Sequence, residues 1–145
     1  MNNTLIRPAG LDDISELSAL CEELGYPSQN QEVKKRLARI QDSRSDIILV
    51  AVEKGIVIGW IHVFSALRLE SDSFAEIGGL VVSSKQRGRG VGKILVSEAE
   101  KWAKKNGSAT IRVRSRTSRI KTRQFYEKEG YIVIKEQNVF EKSLK

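Results

Sequence analysis

Cys21 is the only cysteine in the chain, so neither an internal disulfide nor a cysteine-based metal cluster can form, and no metal site is predicted. There are two prolines and one histidine in 145 residues. No apolar run approaches the roughly 20 residues that cross a bilayer. The opening MNNTLIRPAG lacks the basic segment and apolar stretch of a secretory signal. These absences predict a cytoplasmic protein with no membrane partner. Acidic residues are in the minority, 18 against 25 Lys and Arg, for a net charge of +7. That balance favours anionic ligands without separating a phosphate cofactor from RNA or an acidic protein. Repeats, low-complexity tracts and linkers are also missing, and the length suits a single domain over 1–145 with one core.

What is present alternates between strand and helix patterns. TLIRPA reads as a strand. Leu11, Ile14, Leu17, Leu20, Cys21 and Leu24 then recur at helical spacing until Gly25 and Pro27. Val33, Leu37 and Ile40 mark a second helix, and DIILVAVE and IVIGWIHVF, joined by Lys54-Gly55, read as a hairpin. After the polar connection SALRLESDS comes the strand FAEIGGLVV, where Gly78 and Gly79 permit a bulge. Residues 91–106 form the best helix, with Val91, Ile94, Leu95, Ala99, Trp102 and Ala103 on one stripe. ATIRVRS is predicted as a strand, SRIKTRQFYEKEG as a helix, and YIVIKE and NVFEKSL as two final strands. The order predicts an α/β fold, a mixed sheet covered by helices.

Between the strand at FAEIGGLVV and the long helix lies SSKQRGRGVGKIL, with glycine at 88, 90 and 92 among Lys85, Arg87, Arg89 and Lys93. The first amides of a helix lack internal partners and carry the positive end of its dipole. Glycine lets an anion approach them closely. Such a segment can cradle a phosphate. Its spacing is neither a Walker loop nor a Rossmann fingerprint.

Arg87, Gly88, Arg89, Gly90, Val91 and Gly92 resemble the R-x-x-G-x-G/A signature of the GCN5-related N-acetyltransferases (GNAT). LIRPAGLDDI is similar to that family's first strand and helix, DIILVAVEKGIVIGWIHV to its hairpin, and FYEKEGY to its late aromatic motif. The likeness runs over nearly the whole chain. It implies a mixed, mostly antiparallel sheet splayed near its centre, with helices on both faces and acetyl-CoA lying in the opening. It also implies that backbone amides from Arg87 to Lys93 hold the cofactor's pyrophosphate, and that Leu80, Val81 and Val82 bind its pantetheine arm.

Acetyl transfer to an amine requires removal of a proton from an ammonium whose pKa is about 10. Glu76, eleven positions ahead of Arg87, resembles the family's general-base glutamate. His62, in phase with Trp60 and Phe64, is a rival base or a substrate contact. Tyr126 matches the family tyrosine that protonates or hydrogen-bonds the departing sulfur. Arg119 stands where many members carry asparagine, and would meet a cofactor phosphate instead. Cys21, on the apolar face of the first helix, is expected to be structural, so transfer is direct in a ternary complex. Tyr26, Glu70 and Asp72, in two connections, are candidates for acceptor binding. The expected acceptor is a small-molecule amine, with a peptide or protein amine as the alternative. A non-catalytic acyl-CoA-binding regulator and a nucleic-acid-binding domain built on the basic stretch 112–123 are readings of another class. That stretch lacks interleaved aromatics, so nucleic acid is not the expected partner. A homodimer stays open.

Overall fold

Residues 3–145 are described by a computed structural model. The chain forms two compact units, one ending at Val113 and the other spanning Arg114–Lys145. In chain order the first contains β1 (Leu5–Pro8), α1 (Ile14–Leu24), α2 (Asn30–Asp42), β2 (Asp46–Glu53), β3 (Ile56–Ala66), β4 (Phe74–Val82), α3 (Val91–Lys105) and β5 (Ile111–Val113). The second contains α4 (Ile120–Lys128).

The sheet has the order β1-β2-β3-β4-β5. Every pairing is antiparallel except β4 with β5, which is parallel. β5 accompanies β4 only from Ala75 to Ile77. From Gly78 to Val82 that edge of β4 has no strand beside it among the described residues, and here the sheet opens.

The central strands β2, β3 and β4 bury residues on both faces of the sheet. Ile48, Val50, Val52, Trp60 and Val81 pack with Leu17 and Leu20 of α1 and Val33 and Leu37 of α2. The opposite face carries Ala51, Ile61, Val63 and Ala75, each fully buried. α3 covers that face: a Cβ placed on Gly59 would lie 3.3 Å from Leu95 Cδ1. The start of α1 is fixed by a buried carboxylate. Asp13 accepts two bonds from Arg7 (2.8 and 2.9 Å) and one from the Gly10 amide (2.7 Å). The Arg7 hydrogen bond, foremost, holds the Asp13 carboxyl below its ordinary range despite burial.

Two irregularities set which side chains share a face. In the β2–β3 hairpin the register shifts after Val52↔Val57, so that Ala51 meets Gly59. Glu16 of α1 accepts a bond from the Val57 amide at this shift (2.5 Å). In the β3–β4 pair His62 meets Gly79 and Val63 meets Ile77, leaving Gly78 as the extra residue. Both glycines face the same way. A Cβ on Gly78 would lie 2.9 Å from His62 Nδ1, and one on Gly79 2.9 Å from the Trp60 ring. The bulge that this glycine pair permits is therefore present, and it is closed by two aromatic side chains of β3.

The second unit corrects one expectation. YIVIKE and NVFEKSL form no strands: residues 131–145 are in neither helix nor strand. Their apolar alternation has no ladder to enter, and Ile132, Val139, Phe140 and Leu144 are largely exposed. An isolated hairpin is at best marginal without a further strand or helix to cover it. Before them, α4 ends at Lys128 with Glu129 as its C-cap, and Gly130, with φ of 93°, takes the left-handed conformation that follows many helix ends.

Gly79→Val tests the bulge. Valine suits a strand, so a loss of stability reports the contact with Trp60 rather than backbone preference. Urea denaturation should show a loss of about 1–3 kcal/mol. A value within error of the parent would mean that Trp60 yields without cost.

Candidate functional site

The loop after β4 is built by conformations that glycine alone takes freely. Gly88 and Gly90 have φ of 81° and 82°, and a Cβ at either would meet nothing within 4 Å, so open space lies over both. Gly90 is the N-cap of α3 and no side chain caps this end. The first intrahelical bond is Ile94 N to Gly90 O (3.1 Å). The amides of Val91, Gly92 and Lys93 therefore form the exposed first turn of a 15-residue helix. A pyrophosphate fits this donor set, and a β-carbon at Gly88 or Gly90 would stand in its approach.

The loop's arginines are tethered. Arg89 Nη2 lies 2.9 Å from both carboxylate oxygens of Glu53, at the end of β2, and Nη1 donates to Gln86. Arg87 Nε donates to the Val82 carbonyl (3.1 Å), and its guanidinium is 3.9 Å from Glu23 of α1. Glu23 also accepts from the Ser84 amide (2.8 Å). The loop is thereby tied to α1 and β2. Leu80, Val81 and Val82 lie on the part of β4 that β5 leaves unaccompanied.

Glu76, half-buried on β4, is opposite Phe64 on one side and Arg112 on the other. Cross-strand partners share a face, so Glu76 lies on the side of Phe64, His62 and Trp60. Arg112 caps that side, with its guanidinium 3.9 Å from the centre of the Phe74 ring. His62 Nε2 is 2.8 Å from Asp46 Oδ2. Burial raises the Asp46 carboxyl, but bonds from His62, Ser43 and Ser45 and the His62 charge outweigh it, so the group lies below its ordinary range. The bond to Asp46 places a proton on Nε2, and in the neutral ring Nδ1, on the Gly78 side, is the acceptor.

Glu70 and Asp72 are exposed in the β3–β4 connection, and Tyr26, beyond the end of α1, is 66% exposed. Arg119 and Tyr126 belong to the second unit, at the N-cap and on the second turn of α4. Tyr126 is buried between Phe125 (5.0 Å between ring centres) and Tyr131 (5.4 Å), and burial pushes its phenol up to about 12. Among the described residues no group of three His, Cys, Asp or Glu is placed to hold a metal ion.

Sequence reasoning missed Asp46, Glu53 and Glu23. Counting back from the Lys54-Gly55 turn with Glu53 opposite Ile56 would pair His62 with Ile47 and put Asp46 on the other side. The register shift pairs His62 with Ile48 instead, and so brings Asp46 and His62 onto one face. No feature of the hairpin's composition announces that shift.

Residues 11–131 match the model of the acetyltransferase (GNAT) family. An uncharacterised N-acetyltransferase of Chlorobaculum tepidum is 30% identical over 135 residues, covering 93% of this chain and 79% of its own. A GNAT family acetyltransferase of Staphylococcus aureus superposes with a TM-score of 0.76 at 24% identity, over 97% of this chain and 98% of that one. The aminoglycoside N-acetyltransferase AAC(6')-Iy, solved with the bisubstrate analogue CoA-S-monomethyl-acetylneamine, superposes with a TM-score of 0.86 at 16% identity, over 98% and 99% of the two chains. At these identities the two structures speak for the fold.

Gly90→Val should strain the left-handed N-cap and fill the space before the α3 amides. The CoA dissociation constant is expected to rise at least tenfold, about 1.4 kcal/mol, by isothermal titration of a folded variant. Unchanged affinity would move the cofactor's phosphates elsewhere.

Tyr126 gives a second test. A phenol held near 12 stays protonated in the fold after an unfolded tyrosine, at about 10, has ionised. The stability associated with the neutral ring is thus present below pH 10 and lost as pH rises toward 12. Phenolate absorbance should reveal one late-titrating tyrosine, absent in Tyr126→Phe. A parent with no late step would overturn the assignment.

Proposed function

Because the chain belongs to the GNAT acetyltransferase family, we propose that it moves an acetyl group from acetyl-CoA to the primary amine of a small molecule, by direct attack in a ternary complex within one N-acetyltransferase domain. The observation that carries the cofactor assignment is the uncapped α3 terminus behind Gly88 and Gly90. In this reading the amides of Val91, Gly92 and Lys93, with Arg87 and Arg89 beside them, hold the pyrophosphate. The free edge of β4 from Leu80 to Val82 binds the pantetheine arm, and a backbone N–H there stabilises the developing oxyanion. Acetyl-CoA supplies the activated acyl group. A small-molecule acceptor is supported by the aminoglycoside acetyltransferases among the structures of the same fold.

Glu76 takes the ammonium proton, directly or through water, from the face it shares with His62. The Asp46–His62 pair favours a second reading of this step. An imidazole oriented by a carboxylate, with its other nitrogen turned to the Gly78 bulge, is an equally competent acceptor. Tyr126 is assigned to the leaving sulfur on its sequence match. A phenol near 12 is a weaker acid than a thiol of about 8.5, so its role is to donate a hydrogen bond to the thiolate rather than to surrender its proton. Arg119 stands where many members of the family carry asparagine, and its charge assigns it to a cofactor phosphate instead.

Thiol release from acetyl-CoA against a panel of amines tests the function, and absence of amine-dependent release would end it. Glu76→Gln and His62→Ala then divide the two bases. The variant that removes the base should lose about 10²-fold in kcat/KM at pH 7 and recover as the amine deprotonates unaided, while the other keeps the parent's profile. If neither variant changes the profile, a water relayed from the backbone is the proton acceptor.

A further inference from the structure

Beneath α1 and α2, on the His62 side of the sheet, lies a cavity of about 150 Å³. Leu17, Val33, Leu37, Ile40, Ile48 and Trp60 make most of its wall, and its surface is almost entirely apolar. Three other side chains complete it. Arg36 contributes its stem while its head stays at the surface, bonded to Ser28 (3.0 Å) and 3.6 Å from Glu32. Cys21 adds a thiol whose ionisation burial disfavours. His62 adds the polar edge. We propose that this cavity receives the apolar group of the acetyl acceptor, an amine bearing one aryl or branched-alkyl substituent of about the size of a benzene ring.

Size, chemistry and position each argue for this occupant. A recess of roughly 150 Å³ with aliphatic and aromatic walls has room for a benzene-sized guest. A polyhydroxylated or polycationic group would forfeit many hydrogen bonds to water there and find few in exchange, chiefly His62 and the unpartnered indole N–H of Trp60. Trp60 and His62, two of the lining residues, are the side chains that close on Gly79 and Gly78. The cavity therefore adjoins the point where β4 leaves β5, and a ring seated in it has His62 between itself and the open edge of β4. Specificity for an apolar amine rests on the acetyltransferase reading above, but occupancy of the cavity does not.

The test separates the two. Trp60 and Trp102 are the only tryptophans, so in Trp102→Phe the emission reports Trp60 alone. Benzylamine should shift or quench that emission saturably without acetyl-CoA, and ethanolamine should not. In thiol-release assays kcat/KM for benzylamine should exceed that for ethylamine at least tenfold. Cys21→Phe, or Ile40→Phe should the first not fold, fills the cavity. Either should abolish the emission change and the preference for benzylamine over ethylamine, with CoA affinity unchanged. Turnover of hydroxylated amines with no emission response and no aryl preference would overturn the cavity assignment and spare the enzyme. A saturable emission response without thiol release from any amine would uphold the cavity and defeat the acetyltransferase reading.

Discussion

The first unit turns on the contact of Gly78 and Gly79 with His62 and Trp60. Strand alternation would otherwise send Phe74, Glu76, Gly78 and Leu80 to one face and Val81 to the other. The extra residue lets Glu76 stay on the His62 side while Val81 returns to the cluster under α1 and α2. It falls directly after the last β4–β5 pair, Ile77 with Val113. One local insertion thus ends the parallel pairing, opens the sheet and sets the phase of the candidate base. Glycine favours it, because a β-carbon at either position would meet the Trp60 ring or the histidine at 2.9 Å.

The second organising feature is electrostatic. The loop before α3 is rich in cations, yet Glu53 and Glu23 engage two of them. Such pairs near a surface contribute little stability by themselves. Their effect is positional: they hold the loop against β2 and α1, so the α3 amides face outward without an ordering cost at the moment of binding. The helix terminus carries a fixed partial charge that no side-chain motion can withdraw, and the arginines add screening-sensitive attraction around it.

Period and punctuation made most of this fold legible. The helix stripes at Leu17/Leu20 and Val91/Leu95/Ala99 and the paired runs around Lys54-Gly55 belong to the elements they suggested. The glycine-rich loop could be read because its chemistry is local: a strand end, small residues, a helix start. What stayed hidden depends on counting across a ladder. Asp46 becomes a partner of His62 only through a one-residue slip, and Glu53 reaches Arg89 only because β2 ends beside the loop. The final strands failed for the complementary reason. Alternation in YIVIKE states a capacity to pair, and pairing needs a second edge that the segment does not encode.

The open edge of β4 has a consequence that precedes any ligand. An unpaired, apolar strand end such as Gly79-Leu80-Val81-Val82 is a template for another chain, and two such edges brought together would extend one sheet into an aggregate. Here the exposed stretch runs directly into Lys85, Arg87 and Arg89. When two such edges approach parallel and in register, the cations that follow one strand stand beside those that follow the other, and like charges repel. The basic turn thus acts as a gatekeeper of solubility. Neutralising it would expose the chain to self-association even where the fold itself is untouched.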